Sequence, residues 1–137
     1  MPLGSMNHLS LTVSDRDASE PFYDAILTFM GYELTEKTDE FTLWWSASAG
    51  AVTIGSANPD ARNPVHDRYS PGLHHFAFSA DSREEVDRLH QLLVKIGATV
   101  LDAPAEYSQY APGYYAVFFA DPDGIKLELV HMPTVPE

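Results

Sequence analysis

The sequence predicts an α+β domain made of two βαβββ modules, and three observations lead to this fold class. Short apolar strands begin at His8 and at His75, and each is followed by a turn and a helical segment that ends at a glycine. After each glycine the hydrophobic pattern changes from a helical period to the alternation typical of strands. The 137 residues, 45% of them hydrophobic, suit a single domain with a real core. We expect the two modules to pair into a curved, mostly antiparallel sheet that forms a cup, with both helices outside.

The domain is expected to span residues 6–132, with modules at about 6–56 and 72–132 joined by the segment 57–71. Residues 1–5 read as a remnant of cloning, with Met6 as the natural start. The long segments 57–71 and 104–113 are either plain connectors or lids over the cup. The first of them carries Arg62, His66 and Arg68.

The first module begins with a strand at 8–13, in which apolar and polar residues alternate. The helix that follows could be capped by Asp17 or Ser19, and Pro21 is tolerable only in its first turn. Gly31 ends it. Three strands are then expected at 32–36, 41–46 and 51–55. The buried stripe of this helix is predicted to be Phe22, Ile26, Leu27 and Met30.

The second module begins with a strand at 75–79. Ser82 and Glu85 fit a capping box at the start of its helix, and Gly97 suits the left-handed position after its end. Strands are then expected at 99–101, 114–120 and 125–130, with a turn at 121–124 where proline and glycine occupy favourable positions. The buried stripe of this helix is predicted to be Val86, Leu89, Leu93 and Ile96.

Composition and charge narrow the classes of function. The net charge of −12 would repel nucleic acid, so we expect no nucleic-acid partner. No apolar run approaches the length of a membrane span and no signal peptide is evident, which predicts a cytoplasmic protein with no membrane partner. The absence of cysteine rules out disulfides, thiolate metal sites and a cysteine nucleophile. The bland interpretation of the charge is an acidic surface that favours solubility.

Three polar residues on apolar strands point to chemistry: His8, His75 and Glu128. Each lies on the side of its strand opposite the large apolar residues, as strand alternation requires. Two imidazoles and a carboxylate are ligands that suit a divalent first-row metal ion, and such a set leaves positions open for substrate or water. Each histidine alone is more often a hydrogen-bonded structural residue, but their matching places in the repeat favour a metal site.

Other side chains are candidates for substrate contact or catalysis. Tyr114 and Tyr115 alternate, so one of them should face the cup, where a phenol could act as an acid; the alternative is ordinary aromatic packing. Lys126 shares the face of the Glu128 carboxylate and is either an anchor for an anionic substrate or a lysine at the rim that extends to water. Ser10, on the polar face of the first strand, and Tyr110 complete the predicted substrate contacts.

The chain resembles the vicinal oxygen chelate superfamily, which includes glyoxalase I, bleomycin-resistance proteins, fosfomycin-resistance enzymes and extradiol dioxygenases. The matching stretches are Asn7–Val13, Phe22-Tyr23 with Gly31-Tyr32, Gly72–Phe78 and Phe118–Leu129. The resemblance implies paired βαβββ modules and one divalent metal ion (Fe, Mn, Ni, Co or Zn) held by His8, His75 and Glu128. It favours His75 over the adjacent His74, which would point to the helix side or to the start of the strand.

The resemblance also has departures that bear on the reaction. Glyoxalase I supplies a fourth ligand, a glutamate on the last strand of the first module, whereas residues 51–55 here contain no carboxylate. Tyr107 and Tyr110 join the two tyrosines above as candidates for the tyrosine of extradiol dioxygenases, but the further histidine of those enzymes is not evident. We therefore expect an enzyme acting on a small oxygenated molecule by lyase or isomerase chemistry, ahead of dioxygenation.

Two alternatives to an enzyme stay open. One is a binding module that sequesters a small molecule without catalysis, as bleomycin-resistance relatives do, and the other is a domain that retains a metal site without turnover. A homodimer is implied by the resemblance, with Trp44, Trp45 or Phe41 at the interface. The triad is then either complete within one chain or shared between two.

Overall fold

The computed structural model describes residues 2–61 and 65–133, and in these residues it contains eight strands and two helices. The chain divides into two compact units, residues 1–64 and 65–137. The first unit comprises β1 (His8–Val13), α1 (Arg16–Phe29), β2 (Glu33–Lys37), β3 (Thr42–Ser46) and β4 (Gly50–Ser56). The second comprises β5 (Phe76–Ser79), α2 (Arg83–Lys95), β6 (Thr99–Glu106), β7 (Tyr115–Ala120) and β8 (Lys126–His131). Each unit therefore follows the order βαβββ, which confirms the predicted fold class.

The two sheets have the same topology. In the first unit the strand order is β1-β4-β3-β2, and in the second it is β5-β8-β7-β6. The first and last strands of each unit pair in parallel, and the other two pairings are antiparallel. The mostly antiparallel character is thus confirmed within each sheet. The pairing of the modules around a shared cup stays a prediction.

Helix α1 begins earlier than the sequence suggested. Its N-cap is Asp15, whose side chain accepts hydrogen bonds from the backbone N–H groups of Asp17 and Ala18, so the predicted caps at Asp17 and Ser19 are wrong. As a consequence Pro21 lies inside the helix and beyond its first turn. Its ring is exposed, and so is Asp17, whose carbonyl lacks the usual N–H partner. Water can therefore hydrogen-bond that carbonyl, which limits the free-energy cost of a proline inside the helix.

The core of the first unit lies between α1 and its sheet. Of the predicted stripe, Met30 is partly exposed, whereas Tyr23, which the prediction omitted, is 1% exposed. Trp44 is fully buried within this unit and its indole N–H donates to Asp24, so its predicted place at a dimer interface is wrong. Trp45, on the opposite face of the same strand, is 47% exposed. The buried apolar residues are Leu11, Val13, Phe22, Tyr23, Ile26, Leu27, Tyr32, Trp44, Val52 and Ile54.

The second unit is built around α2. Ser82 is its N-cap and accepts from the Glu85 N–H at 3.2 Å, as predicted. The Glu85 carboxylate reaches back one residue further than a standard capping box and accepts from the Asp81 N–H. Ile96 is 40% exposed, so its predicted place in the buried stripe is wrong. The buried apolar residues are Phe78, Val86, Leu89, Leu93, Ala116, Val117, Phe118, Phe119, Ala120, Ile125, Leu127 and Leu129.

Strand β6 extends five residues beyond its predicted end, to Glu106, so the predicted loop 104–113 begins later than expected. Proline at position 104 is compatible with this strand because β6 lies at the edge of its sheet. The predicted turn at 121–124 is confirmed: Gly124 has a φ of 82°, and the Asp121 side chain accepts from the backbone of Asp123 and Ile125. No helix among the described residues is long and apolar enough to cross a membrane.

Candidate metal centre and catalytic site

Glu128 is a buried carboxylate on the face of the second sheet that α2 does not cover. It lies in β8, an interior strand of that sheet, and its side chain points away from the side of Leu127 and Leu129. Glu128 is only 1% exposed. Carboxylates are almost never buried to this degree unless they are paired or bind a metal ion.

The two oxygens of Glu128 face different partners. Oε1 lies 3.3 Å from Nε2 of His75, and Oε2 accepts a short hydrogen bond from the Tyr114 hydroxyl. His75 directly precedes β5, the strand that pairs in parallel with β8. Tyr114 directly precedes β7, which flanks β8 on its other side. Both partners thus reach the carboxylate from neighbouring strands.

The spacing of His75 and Glu128 fits two ligands of one metal ion. Zn²⁺, for example, lies about 2.1 Å from imidazole nitrogen and carboxylate oxygen, so two such ligands at 90–109° around the ion are about 3.0–3.4 Å apart. The observed 3.3 Å between Nε2 and Oε1 lies in that interval. Across residues 2–61 and 65–133, however, no group of three or more His, Asp or Glu side chains is assembled as a metal site. The structure therefore provides a ligand pair.

Tyr114 lies in a group of aromatic rings beside this pair. Burial, together with the hydrogen bond to Glu128, raises the pKa of the Tyr114 phenol well above its usual value. Its ring contacts Tyr110 edge-on at a centroid distance of 5.2 Å, and Tyr110 stacks on Tyr107. Burial likewise raises the pKa of Tyr107, which contacts Phe118 edge-on at 5.4 Å. With raised pKa values, the phenols of Tyr114 and Tyr107 stay protonated at neutral pH, so each is able to donate a hydrogen bond.

The structure separates the two tyrosines that the sequence proposed as catalytic. Tyr115 lies on the helix side of the second sheet, where its hydroxyl donates to Asp87 of α2 at 2.6 Å and its ring lies under the Arg83 guanidinium. That is the opposite side from Glu128, as the alternation of strand residues requires. Tyr114 is therefore the tyrosine that reaches the site, and Tyr115 does not.

Lys126 lies on the same face as the buried carboxylate. Its ammonium group is 4.7 Å from the centroid of the Phe118 ring, and that ring meets the His75 imidazole at 6.4 Å. Within the described part of the chain Lys126 takes part in no ion pair. It therefore places a positive charge beside the His75 side of the pair.

His74 contacts His75 on the side away from Glu128. Their Nδ1 atoms are 2.7 Å apart, and the exposed His74 ring also meets Tyr69 edge-on at 5.4 Å. Desolvation is the largest of the effects that lower the pKa of His74, and neighbouring positive charges lower it further. The prediction that His74 is not the residue facing the carboxylate agrees with this geometry.

The remaining predicted residues, His8 and Ser10, lie in the first unit. Both are on the exposed face of β1, which lines an open groove of about 610 Å³ together with Thr12, Thr53 and Trp45 among others. His8 Nδ1 is held 2.8 Å from the Asn7 side-chain oxygen. This groove contains hydroxyl groups and aromatic rings, and among the described residues that line it Glu40 is the one charged residue besides the ionisable His8.

The repeat places Thr53 where the second unit has its carboxylate. Thr53 is paired with Ser10 in the parallel β1–β4 register, just as Glu128 is paired with Ala77 in the β5–β8 register. Ser10 and Ala77 each lie two residues after the corresponding histidine. The Thr53 hydroxyl donates to Ser10 at 2.9 Å. Where the sequence lacks the glutamate that would be a fourth ligand, the structure therefore has a pair of hydroxyl groups, Thr53 and Ser10.

Two contributors were not identified from the sequence. Phe118 is directly opposite Glu128 in the β7–β8 register, and its ring contacts His75, Lys126 and Tyr107. The only sequence signal for its position is its alternation with Val117 and Phe119. Asn7 as the partner of His8 had no sequence signal.

Of the predicted lid residues, Arg62 lies outside the described residues. His66 and Arg68 each have a buried ring or guanidinium nitrogen with no hydrogen-bond partner in the described part of the chain.

Two βαβββ units are the arrangement that the resemblance to the vicinal oxygen chelate superfamily implied. The comparison with protein families gives the particular family: residues 5–129 match the model of the Glyoxalase/Bleomycin resistance protein/Dioxygenase superfamily. The chain belongs to this superfamily, and the resemblance stated from its motifs is confirmed.

Relatives in sequence span nearly the whole chain. YqjT of Bacillus subtilis is 35% identical over 125 residues, which cover 91% of this chain and 97% of YqjT. A protein named metallothiol transferase FosB, from Shouchella clausii, is 29% identical over 136 residues, which cover 98% of this chain and 84% of that protein.

Solved structures agree with the fold. A Bacillus halodurans protein has a TM-score of 0.80 at 30% identity, covering 95% of this chain and 97% of its own. The fosfomycin resistance protein FosX of Listeria monocytogenes has a TM-score of 0.70 at 18% identity, covering 96% of this chain and 95% of its own, a likeness that shows the fold alone.

Proposed function

We propose that this chain is a divalent-metal-dependent enzyme that acts on a small oxygenated molecule bound through its oxygen atoms to the ion. The observation that carries the proposal is the buried Glu128 carboxylate, whose oxygens are divided between His75 and Tyr114. Membership of the superfamily and the relationship to a protein named metallothiol transferase support a metal-dependent reaction.

The proposed ligands are Nε2 of His75, Oε1 of Glu128 and the imidazole of His8. Nitrogen and oxygen donors of this kind suit Fe, Mn, Ni, Co or Zn, and the set leaves positions open for substrate. His8 would be supplied by the first unit of the same chain or of a second copy, since we also propose a homodimer. When bound, the ion would polarise a substrate oxygen and stabilise negative charge that develops on it.

The residues of the chain would bind the substrate and move its protons. Tyr114, kept protonated by its raised pKa, is suited to be a hydrogen-bond donor or general acid, and unsuited to be a base at neutral pH. While it donates to Oε2 of Glu128, it leaves Oε1 free to act as a ligand. Lys126 would attract an anionic group of the substrate, and Ser10 and Tyr110 would hydrogen-bond its oxygens.

We favour lyase, isomerase or group-transfer chemistry over dioxygenation. A single protonated phenol at the carboxylate suits a reaction in which a nucleophile adds, or a leaving group departs, while one oxygen of the substrate gains a proton. The relationship to a metallothiol transferase agrees with the addition of an external nucleophile. Consumption of dioxygen with a catechol substrate would contradict this choice and favour an extradiol-type dioxygenase.

The proposal is tested by metal content. Wild-type protein, purified and then reconstituted anaerobically with Mn²⁺, Fe²⁺, Co²⁺, Ni²⁺ or Zn²⁺ singly, should retain about one ion per site after gel filtration. The His75→Ala and Glu128→Gln variants should lose it, whereas His90→Ala, a control histidine on α2, should retain it. Wild-type protein that takes up no ion would overturn the proposal and favour a binding module without catalysis.

A mixing experiment locates the third ligand. If the triad is shared between copies, a refolded mixture of His8→Ala and Glu128→Gln proteins should contain heterodimers with one intact site, and metal binding should partly return. If the triad lies within one chain, every copy in the mixture stays defective and no binding returns. Multi-angle light scattering on the same samples checks the proposed dimer.

A further inference from the structure

Both ring nitrogens of His75 are engaged in the second unit. Nε2 lies 3.3 Å from Oε1 of Glu128, and Nδ1 lies 2.7 Å from Nδ1 of His74. The two histidines precede β5, and the chain bends at His74. The alternation of side chains in extended strands therefore does not apply to them, and adjacent side chains can meet on one side.

We infer that His74 is a positioning residue for His75: it holds the His75 ring at Nδ1, so that Nε2 is directed to the carboxylate oxygen Oε1 of Glu128. The inference rests on the proposed function, since it gives a purpose to the orientation only if Nε2 is a metal ligand. It adds to that function a residue outside the three proposed ligands.

The hydrogen-bonding capacity of imidazole explains why His74 suits this role. A neutral imidazole carries its proton on one nitrogen and accepts at the other, so a ligating Nε2 obliges His75 to carry its proton on Nδ1. That N–H then needs an acceptor, which in metal sites is usually a carboxylate, a carbonyl or water. With an ion on Nε2 of His75, Nδ1 of His74 would be that acceptor, and the proton of His74 would then be on its Nε2.

His74 is itself supported by the segment that precedes it. Its ring meets the Tyr69 ring edge-on at 5.4 Å, with 72° between the ring planes. The Tyr69 backbone N–H donates to the Asp67 carboxylate at 2.9 Å, which fixes the turn that carries the tyrosine. An exposed histidine would otherwise sample several rotamers, so this contact lowers the entropic cost of holding the ring against His75.

Two substitutions separate hydrogen bonding from packing at this position. His74→Phe keeps a planar ring against Tyr69 but removes the acceptor, whereas His74→Asn restores an acceptor oxygen close to the place of Nδ1. Because His74 is exposed, both variants are expected to fold. His90→Phe is the matched control, since His90 lies on α2, on the other side of the second sheet.

The experiment is an anaerobic titration of each protein with Co²⁺ alone, followed by its visible absorption bands and by competition with a chelator. His74→Phe should weaken the affinity for Co²⁺ by about 10–100-fold, the usual effect of losing the partner of a ligating histidine. His74→Asn should recover most of that loss, and His90→Phe should bind like wild type. The absorption bands should shift in His74→Phe, because a ring free to rotate changes the ligand field.

A second measurement needs no metal. In apoprotein labelled with ¹⁵N-histidine, Nε2 of His75 faces the Glu128 carboxylate and should carry the ring proton, while Nδ1 accepts from His74. In His74→Phe the Nδ1 signal of His75 should shift, because Nδ1 loses that donor. Equal Co²⁺ affinity and an unchanged His75 ring spectrum in His74→Phe would overturn the inference while leaving the metal site intact. Failure of the wild type to bind Co²⁺ at all would overturn the proposed function, which makes the two failures distinguishable.

Discussion

Replacing Tyr114 by phenylalanine tests whether the buried carboxylate depends on its phenol partner. The substitution removes one oxygen and keeps the ring, so its packing against Tyr110 and Tyr107 is retained. The substitution deletes the hydrogen bond to Oε2 of Glu128. Because Glu128 is 1% exposed, water cannot readily replace the lost hydroxyl as a donor. Hydrogen bonds to charged groups contribute about 1.5–3 kcal/mol, and we expect Tyr114→Phe to lower the free energy of unfolding by about that amount.

Tyr115→Phe is the matched control, because it removes the same atom from the adjacent residue. Its hydroxyl donates to Asp87, which is exposed and can bind water instead. We therefore expect a loss of about 0.5 kcal/mol, near the lower limit for a single hydrogen bond. The contrast isolates the burial of the acceptor as the cause of any larger effect.

Urea denaturation followed by far-ultraviolet circular dichroism is the appropriate assay. Both tryptophans lie in the first unit, so their fluorescence reports on that unit and is the internal reference. With an m-value of about 2 kcal/mol/M, a loss of 2 kcal/mol lowers the midpoint by about 1 M. If Tyr114→Phe costs no more than Tyr115→Phe, the carboxylate does not depend on the phenol and our description of the site is wrong.

Three further predictions concern stability in the first unit. Ser19→Ala should stabilise the protein by about 0.5–1 kcal/mol, since the buried Ser19 hydroxyl has no partner among the described residues. Ser46→Ala should destabilise it, because the Ser46 hydroxyl accepts from the Ala49 N–H. Thermal melts of both variants check the two signs. Gly50→Ala should cost more than about 2 kcal/mol, because its φ is 93° and a Cβ would lie 2.3 Å from a backbone oxygen, whereas Gly31→Ala, with a φ of 92° and open space, should cost only about 1 kcal/mol. Burial opposes ionisation of Glu20, but hydrogen bonds from its lysine and threonine partners outweigh it and lower its pKa below 4.5. Because its pKa is lower in the folded state, ionised Glu20 stabilises the fold above pH 4.5, and this contribution is lost as the pH falls through the folded pKa. The stabilities of Glu20→Gln and wild type should therefore converge on acidification. Equal differences in stability at pH 7 and pH 3 would contradict this.

The sequence predicted the elements well because their signals were local. Alternation in the strand at 8–13 and the cap at Ser82 depend on neighbouring residues, and both are confirmed. The cap of α1 was misplaced because Asp15, Asp17 and Ser19 are all suitable cap residues, and sequence alone does not say which one has extended backbone. The length of β6 was missed because its proline is acceptable only on an edge strand, and edge position is a property of the whole sheet.

The candidate site was predictable in its residue types and only partly in its geometry. Strand alternation placed Glu128 on the correct face, but the sequence does not show that its carboxylate is buried there and accepts a hydrogen bond from Tyr114. The alternation of strand residues also required that either Tyr114 or Tyr115 face the site, but it did not decide between them. The choice depends on where β7 begins relative to the turn before it, and element boundaries are the least certain part of any sequence pattern.

The number of carboxylates in the ligand set bears on which substrates the proposed centre would accept. A divalent ion held by two carboxylates and neutral imidazoles carries no net charge, whereas the same ion held by Glu128 alone keeps a net charge of +1. Lys126, on the open face of the same unit, adds a further positive charge, while the whole chain carries −12. Because the charge of a bound ion dominates its surroundings, such a centre favours an anionic oxygen ligand and disfavours a cationic one. A proposed centre with Glu128 as its single carboxylate would thus suit an electrophilic substrate whose oxygen becomes negative as the reaction proceeds, which agrees with a protonated Tyr114 beside Glu128.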